Sequence, residues 1–227
     1  MSDLAKAREF QNWTPPPRPE RVALEGRFCR LEPLEARHAD ALFEAAEGEH
    51  ERHRFLPERA PEDRDAFRRW VADRARAPDP LFFAVIDRRS GRVEGRQTLM
   101  RIDEGNGVVE IGNIFWGPRI ARTPVTTEAF FLHAAHVFAL GYRRFEWKCN
   151  DANAPSKRAA ERFGMRYEGT FRQHMVVKGR NRDTAWFALL DREWPEVRAA
   201  FERWLLPENF DGDGQQRRRL ADLRAAP

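Results

Sequence analysis

The sequence predicts a mixed α/β (α+β) fold with one central, mostly antiparallel sheet of about seven strands, flanked by about four helices and a further C-terminal helix. Residues 81–116 contain three apolar strand patterns separated by glycine-containing turns, which is typical of an antiparallel meander. Residues 108–164 then alternate strand, turn, helix, strand and helix patterns. An apolar fraction of 41% over 227 residues can fill one core, and a charged fraction of 33% indicates a soluble protein.

The chain divides into four predicted segments. Residues 1–20 form a proline-rich arm, because the run after Trp13 favours the polyproline conformation and Trp13 can anchor it to a surface. Residues 21–191 form the main domain, and residues 192–206 form a C-terminal helix packed on it. Residues 207–227 are predicted to be a mobile basic tail that contains three consecutive arginines.

The main domain begins with one strand and two helices. Residues 28–31 are predicted to form a short strand that Pro33 stops. Apolar residues at helical spacing predict helices over residues 35–46 and 63–75. His50 and His53 lie between these helices in a polar stretch, so we expect exposed loop histidines and no metal pair.

The remaining elements follow in order along the chain. The meander consists of strands over residues 81–87, 93–102 and 108–116, and a helix that Gly141 ends comes next. The later elements are a strand over 144–150, a helix from Asn153 to Gly164, strands over 167–171, 174–178 and 184–190, and a terminal helix over 194–206.

Composition makes several classes of function less plausible. No apolar run approaches the roughly 20 residues of a membrane span, and the first ten residues have no secretory pattern, so we expect a cytoplasmic protein without membrane contacts. Cys29 and Cys149 lack metal-ligand spacing and are predicted to be buried thiols, and no metal site is indicated. The net charge of +4 invites a nucleic-acid interpretation, but 36 acidic residues are interspersed with the 40 basic ones. An anionic cofactor explains part of the arginine content as well as RNA does, and a solvated surface explains much of the rest.

Several short motifs carry a resemblance to a known family. They are Glu110-Ile111-Gly112, Trp116-Gly117-Pro118, Thr127-Glu128-Ala129, Leu140-Gly141-Tyr142-Arg143-Arg144, and Asn153-Ala154-Pro155-Ser156 followed by Glu161-Arg162-Phe163-Gly164-Met165. In this order and spacing, over residues 20–191, they resemble the GCN5-related N-acetyltransferase (GNAT) superfamily. The chain is most similar to the branch that includes the ribosomal-protein N-terminal (RimJ/RimL-type) acetyltransferases. The resemblance implies a GNAT fold whose sheet is splayed at the cofactor site.

The resemblance also implies acetyl-CoA as co-substrate and a primary amine as acceptor. The pantetheine amides are expected to pair with the strand around Phe115 and Gly117, and the pyrophosphate is expected to meet the start of the helix predicted over residues 126–140. The family's glycine-rich loop is altered, with Ala121, Pro124 and Thr126 at its key positions. The expected cofactor contacts are Phe115, Gly117, Arg119, Arg122, Thr123, Val125, Thr126, Thr127, Asn153 and Ser156.

Two side chains are candidates for proton transfer. Glu110 is expected to take the proton of the acceptor ammonium, directly or through water, unless it is an ordinary strand carboxylate paired with an arginine. The position of the family's usual tyrosine holds Ala160, so Ser156 is the candidate acid for the CoA sulfur, and a helix-cap hydroxyl is the alternative. A backbone N–H near Phe115 is expected to polarise the thioester carbonyl.

The predicted function is acetyl-CoA-dependent N-acetylation by direct transfer, with a protein N-terminus or a small-molecule amine as acceptor. The alternative is a non-catalytic acyl-CoA- or protein-binding module on the same fold. An RNA-associated protein acting through the arginine run is less favoured, and a homodimer stays open. Acidic residues between 47 and 63 would suit a cationic acceptor, although a mixed-charge surface is the simpler interpretation.

Overall fold

An eight-stranded sheet runs through the centre of the protein in a computed structural model that describes residues 13–224. The strand order is β1-β2-β3-β4-β5-β6-β8-β7, and within this sheet only β5 and β6 pair in parallel. The strands are β1 (Leu24–Glu25), β2 (Cys29–Pro33), β3 (Leu81–Asp87), β4 (Arg92–Asp103), β5 (Val108–Trp116), β6 (Arg144–Asn150), β7 (Arg166–Val177) and β8 (Arg180–Leu190).

Helices cover both faces of the sheet. They are α1 (Ala39–Ala46), α2 (His50–His53), α3 (Arg64–Arg76), α4 (Pro124–Ala139), α5 (Ala154–Arg162), α6 (Trp194–Leu205) and α7 (Leu220–Arg224). On one face, α1 and α3 bury Leu42 and Val71 against Phe82 of β3. On the other face, α4 and α6 bury Phe130 and Phe201, whose ring centroids lie 5.8 Å apart. Because apolar side chains alternate along β5 and β6, their other face carries polar groups.

The sheet opens in its middle, between β5 and β6. Their parallel pairing runs from Val108 to Ile111 and ends where Ile111 meets Trp147. On the other side of β5, the pairing to β4 shifts by one residue at a bulge, where Asn113 has φ +48°. A bulge bends the strand that carries it, so the C-terminal half of β5 leaves β6. This gap confirms the predicted GNAT fold with its splayed sheet.

Glu128 of α4 ties the helix to the turn between β1 and β2. Its carboxylate accepts hydrogen bonds from the backbone N–H groups of Arg27, Phe28 and Cys29 at 2.8, 2.6 and 2.7 Å. Gly26 is required at this turn, because a Cβ there would lie 2.4 Å from the Glu128 carboxylate. Three donors on one buried carboxylate fix the position of α4 against the sheet.

The elements differ from the predicted ones in a few places. The structure adds β1, which at two residues is too short to give an alternating pattern. It also joins the predicted strands over 167–171 and 174–178 into β7, which has an irregular register between Phe171 and Met175. Cys29 and Cys149 are buried free thiols, as predicted. Among residues 13–224, no helix has the length and apolar content needed to cross a membrane.

The prediction of exposed loop histidines is wrong for His53. This residue ends the short helix α2, is 3% exposed, and stacks on Phe115 with ring centroids 4.7 Å apart. Burial lowers the pKa of its imidazole. The polar residues around it hide this contact in the sequence, because a single turn of helix can turn one side chain inward while its neighbours stay in solvent.

The first and last parts of the described chain contact the domain. Trp13 donates a hydrogen bond from Nε1 to Gly105 O at 2.9 Å, and residues 1–12 of the predicted arm lie outside the described residues. Residues 207–224, predicted as a mobile tail, pack against α6 through Phe210, Leu220 and Leu223. Three apolar residues spread over fourteen positions give no periodic signal, so this packing could not be predicted from the sequence.

Candidate active site

The gap between β5 and β6 is bordered by backbone groups of β5. Gly117 donates its N–H to Glu94 O at 2.8 Å, on the β4 side. Because the backbone of an antiparallel strand alternates in direction, the groups of Phe115 also point toward β4, and those of Ile114 and Trp116 point into the gap. The backbone donors and acceptors expected at Phe115 and Gly117 are therefore displaced by one residue along the strand.

The first turn of α4 follows β5 closely and has open backbone donors. Thr123 is the N-cap residue, but its Oγ1 donates to Ile120 O at 2.7 Å and caps nothing. Pro124 occupies the first helical position, where a missing N–H removes no intrahelical bond. The N–H groups of Val125 and Thr126 therefore have neither an intrahelical partner nor a capping side chain. Such a helix start favours an anion.

The two arginines predicted to hold the pyrophosphate differ in availability. Arg119 pairs with the buried Glu94 at 3.1 Å, which occupies its guanidinium. Arg122 directly precedes the N-cap residue, is exposed, and has φ +64°. It makes no hydrogen bond or ion pair with any residue between 13 and 224. Arg122 is thus the arginine of this pair that is free to bind phosphate.

The threonine side chains predicted as phosphate donors are already engaged. Thr126 donates from Oγ1 to Thr123 O at 3.1 Å. Thr127 accepts at Oγ1 from Nη1 of Arg162 at 2.9 Å, and both threonines are buried. Within this arrangement, Thr126 offers its backbone N–H to a ligand, and the Thr127 hydroxyl ties α4 to the end of α5.

Ser156 lies in the first turn of α5, beside the end of β6. Its N–H donates to Oδ1 of the N-cap residue Asn153 at 3.2 Å, and its Oγ accepts from Nε1 of Trp147 at 3.0 Å. Burial raises the pKa of the nearby Cys149 thiol, and the Ser156 hydroxyl partly offsets this rise. The Ser156 hydroxyl therefore lies beside a sulfur atom, on the border of the gap.

Glu110 lies on the opposite face of β5 and is 3% exposed. Its Oε2 receives Arg101 Nη1 at 2.6 Å and Lys148 Nζ at 3.0 Å. Its Oε1 is directed along the strand toward Gly112, 3.4 Å from where a Cβ would stand there. A Cβ at Gly112 would also lie 2.5 Å from Met100 Sδ, so a larger residue there would have to displace the Met100 side chain. One oxygen of the carboxylate is thus anchored and the other faces the bulge.

Glu110 belongs to a row of alternating charges across β4, β5, β6 and β7. Lys148 Nζ lies 2.7 Å from Glu146, and Arg144 lies 2.7 Å from Glu146 and 2.5 Å from Glu168. The hydrogen bond from Arg144 lowers the pKa of Glu168 although partial burial opposes it. In order, the row is Arg101, Glu110, Lys148, Glu146, Arg144 and Glu168, so its formal charge is zero.

The hairpin of β7 and β8 closes one side of this face. Lys178 donates from Nζ to His53 O at 2.7 Å and joins the hairpin tip to α2. Trp186 of β8 lies under Lys148, with Nζ 3.8 Å from its ring centroid, and next to Phe171 at 4.6 Å. The sequence analysis missed these residues. The alternation of β6 could have pointed to Lys148, because it places this lysine on the same face as Glu110.

Three of the six acidic residues predicted to form a rim between residues 47 and 63 are paired with arginines. Glu49 pairs with Arg52 at 2.8 Å, and Glu51 pairs with Arg54 at 3.7 Å. Glu58 contacts Arg96, whose burial lowers its pKa to about 9. This region is the mixed-charge surface that the sequence analysis offered as the simpler interpretation. Among residues 13–224, no cluster of three His, Cys, Asp or Glu side chains has the arrangement of a metal site.

Comparison with known proteins places this geometry in a family. The profile of the Acetyltransferase (GNAT) domain matches residues 29–166. A GCN5-related N-acetyltransferase from Brucella melitensis is 58% identical, and the match covers 95% of this chain and 100% of that chain with a TM-score of 0.94. A probable acetyltransferase of the GNAT family from Chromobacterium violaceum is 39% identical over 83% of this chain and 96% of that chain, with a TM-score of 0.78.

A more distant structure shares the fold alone. It is the Salmonella typhimurium acetyl transferase that modifies the N-terminal serine of ribosomal protein L7/L12, at 16% identity over 74% of this chain and 99% of that chain, with a TM-score of 0.65. No curated protein matches the sequence significantly. The domain match and the two closer relatives, together with the splayed sheet, show that the chain belongs to the GNAT acetyltransferase family.

Proposed function

We propose that this protein is an acetyl-CoA-dependent N-acetyltransferase that moves an acetyl group directly to a primary amine. The observation that carries the proposal is the gap between β5 and β6, with the backbone of Ile114 and Trp116 directed into it and the uncapped start of α4 beyond it. An extended ligand with amides and a phosphate end fits such a gap. The thioester of acetyl-CoA supplies an activated acetyl group.

Different residues of the chain bind the phosphates, the amides and the acyl carbonyl of the cofactor. The N–H groups of Val125 and Thr126 and the free guanidinium of Arg122 receive phosphate oxygens, although the loop lacks the usual glycines. Ile114 and Trp116 pair with amides along the gap, as an added strand would. Asn153 positions the first turn of α5 through its cap bond to Ser156. A backbone N–H that points into the gap polarises the carbonyl of the acyl group.

Glu110 takes the proton of the acceptor ammonium through a water molecule. Its Oε2 is held by Arg101 and Lys148, while Oε1 faces Gly112 and the bulge. Two cations hold one oxygen of this carboxylate, as expected for an ordinary strand carboxylate paired with an arginine. Its other oxygen is open, as a general base requires. Ser156 then donates its hydroxyl proton to the departing sulfur, from the position beside Trp147 described above, and regains the proton that the attacking nitrogen loses as the amide forms.

The proposal includes two candidate classes of amine acceptor. A protein N-terminus is supported by the sequence motifs shared with the ribosomal-protein branch, and a small-molecule amine is the second candidate. The cytoplasmic location and the homodimer left open by the sequence stay predictions. A non-catalytic acyl-CoA-binding module remains the alternative, since the same gap and helix start would bind the cofactor without transfer.

The test is release of free CoA from acetyl-CoA with a panel of amines, compared between the wild type and Glu110→Gln. We expect kcat/KM to fall about 100-fold or more in the variant, the range typical of a general base. Glu168→Gln is the matched control, because Glu168 belongs to the same charge row but lies at the end far from Glu110, and its side chain is 41% exposed. Binding of acetyl-CoA by calorimetry without any transfer would favour the binding module, and no binding at millimolar cofactor would contradict both.

A further inference from the structure

One cation near the acceptor face has no partner. The row from Arg101 to Glu168 pairs three cations with three carboxylates. Arg182 stands outside this row, and its side chain makes no hydrogen bond or ion pair with any residue between 13 and 224. Its Nε is shielded from solvent and has no acceptor. The rest of the guanidinium is partly exposed, so an anion can reach it and give the shielded N–H the acceptor that it lacks.

The strand register places Arg182 on the face that carries Glu110. On β8, Trp186 pairs with Lys148 and Thr184 pairs with Asn150, the last residue of β6. Residues two apart on a strand share a face, so Arg182 follows Trp186 and Thr184 on the same face and just past the end of β6. Burial lowers the pKa of Arg182, while the charge of the nearby Glu110 opposes that effect.

We propose that Arg182 binds a carboxylate carried by the amine acceptor. This inference rests on the proposed function, because it assigns a partner to the same site. The phosphates of the cofactor are not the expected partner, since α4 covers the opposite face of the sheet from Arg182. An arginine binds a carboxylate through two parallel N–H bonds, which would fix the acceptor so that its amine lies near Glu110.

The first experiment compares acceptors that differ only in charge. Straight-chain ω-amino acids of two to six carbons are assayed beside their carboxamides, with wild-type protein and saturating acetyl-CoA. A second arm uses tripeptides with aspartate or asparagine at the second position. We expect kcat/KM to be higher for the carboxylate member in at least one arm, and the preferred arm identifies whether a small molecule or a peptide carries the anion.

The second experiment removes the guanidinium. In Arg182→Gln we expect kcat/KM for the preferred carboxylate acceptor to fall about 10- to 100-fold, the loss typical of a hydrogen-bonded charge, with little change for its neutral analogue. Arg182→Lys keeps the charge without the planar fork and should recover part of the loss. Arg180→Gln, an exposed arginine two residues away on the same strand, should leave both acceptors unchanged.

Calorimetry separates this inference from the proposed function. Binding of the carboxylate acceptor that Arg182→Gln abolishes would support the anion site even if no acetyl group were transferred. Transfer with no preference for the carboxylate member in either arm would overturn the inference and leave the N-acetyltransferase intact. Equal losses for the charged and neutral acceptors in Arg182→Gln would overturn it as well.

Discussion

Ser156 accepts a hydrogen bond at Oγ from the indole Nε1 of Trp147, and the two atoms lie 3.0 Å apart. The bond joins the first turn of α5 to the last part of β6 that still pairs with β5. Because the indole can only donate, the serine must accept, and its own proton is left for another acceptor.

Ser156→Ala should therefore slow the chemistry more than it weakens binding. We expect kcat to fall about 10- to 100-fold, below the full range of acid catalysis because positioning alone sustains some transfer. The KM for acetyl-CoA should change little. Steady-state kinetics check this, with Ser90→Ala as the control, because the Ser90 hydroxyl donates to Asp87 on the turn after β3. An unchanged kcat would assign Ser156 to the helix cap.

Arg122→Ala and Arg119→Ala should differ in cofactor affinity. Arg122 is free beside the helix start, so we expect its loss to raise the Kd for CoA about three- to tenfold, with a smaller effect at high salt. Arg119 is paired with Glu94, so its loss should change the Kd less than about twofold. Calorimetric titration with CoA at two ionic strengths measures both. The opposite ranking would mean that Arg119 leaves Glu94 when the cofactor binds.

Buried histidines should make the protein less stable on mild acidification. Burial lowers the pKa of His133 from 6.5 to about 3, so the folded protein keeps it neutral where the unfolded chain takes up a proton. This folded pKa is depressed, so stability is fully present above pH 6.5 and is lost as the pH falls toward 3. His133 alone should lower the free energy of unfolding by about 2 kcal/mol at pH 5 relative to pH 7.

Denaturant unfolding at pH 7 and pH 5 checks this dependence. His133→Gln should reduce the difference between the two pH values, and His50→Gln should not, because His50 is exposed. His38, His53 and His136 act in the same direction, since burial lowers the pKa of each. A difference that is the same in wild type and His133→Gln would show that His133 becomes accessible before global unfolding.

Lys178→Met should loosen the hairpin of β7 and β8. The bond from Lys178 to His53 O joins the hairpin tip to α2, and its loss should raise the KM for the acceptor several-fold without changing the KM for acetyl-CoA. Hydrogen exchange of the hairpin amides should quicken. Arg172→Met, at an exposed position on β7, is the control. Unchanged exchange in Lys178→Met would show that the sheet pairing alone holds the hairpin.

The sequence predicted those elements whose residues repeat with a clear period. The apolar runs of β3 and β5 were sufficient to place the meander, and the family resemblance, carried in part by the motif around Glu110, implied the gap and one candidate base. His53 was missed because its burial depends on Phe115, 62 positions away, rather than on its neighbours. Arg182 was missed for a different reason: an arginine without a partner is recognised only when the surrounding partners have been located.

The backbone directions at the gap were also beyond the sequence. Gly117 matched the family motif, yet which N–H groups point into the gap depends on the hydrogen bond from Gly117 to Glu94 O and on the bulge at Asn113. A bulge adds one residue without any required residue type, so pattern reasoning cannot count it.

The three hydrogen bonds that Glu128 accepts from the β1–β2 turn affect which parts of the sequence can vary in this protein. A helix secured from its side does not depend on the preceding loop for its position. The residues from 119 to 123 can therefore diverge while the amides of Val125 and Thr126 stay where an anion meets them. Glu128, one turn further along the helix, thus holds the helix start in place, which makes a glycine-poor loop compatible with the anion site proposed there.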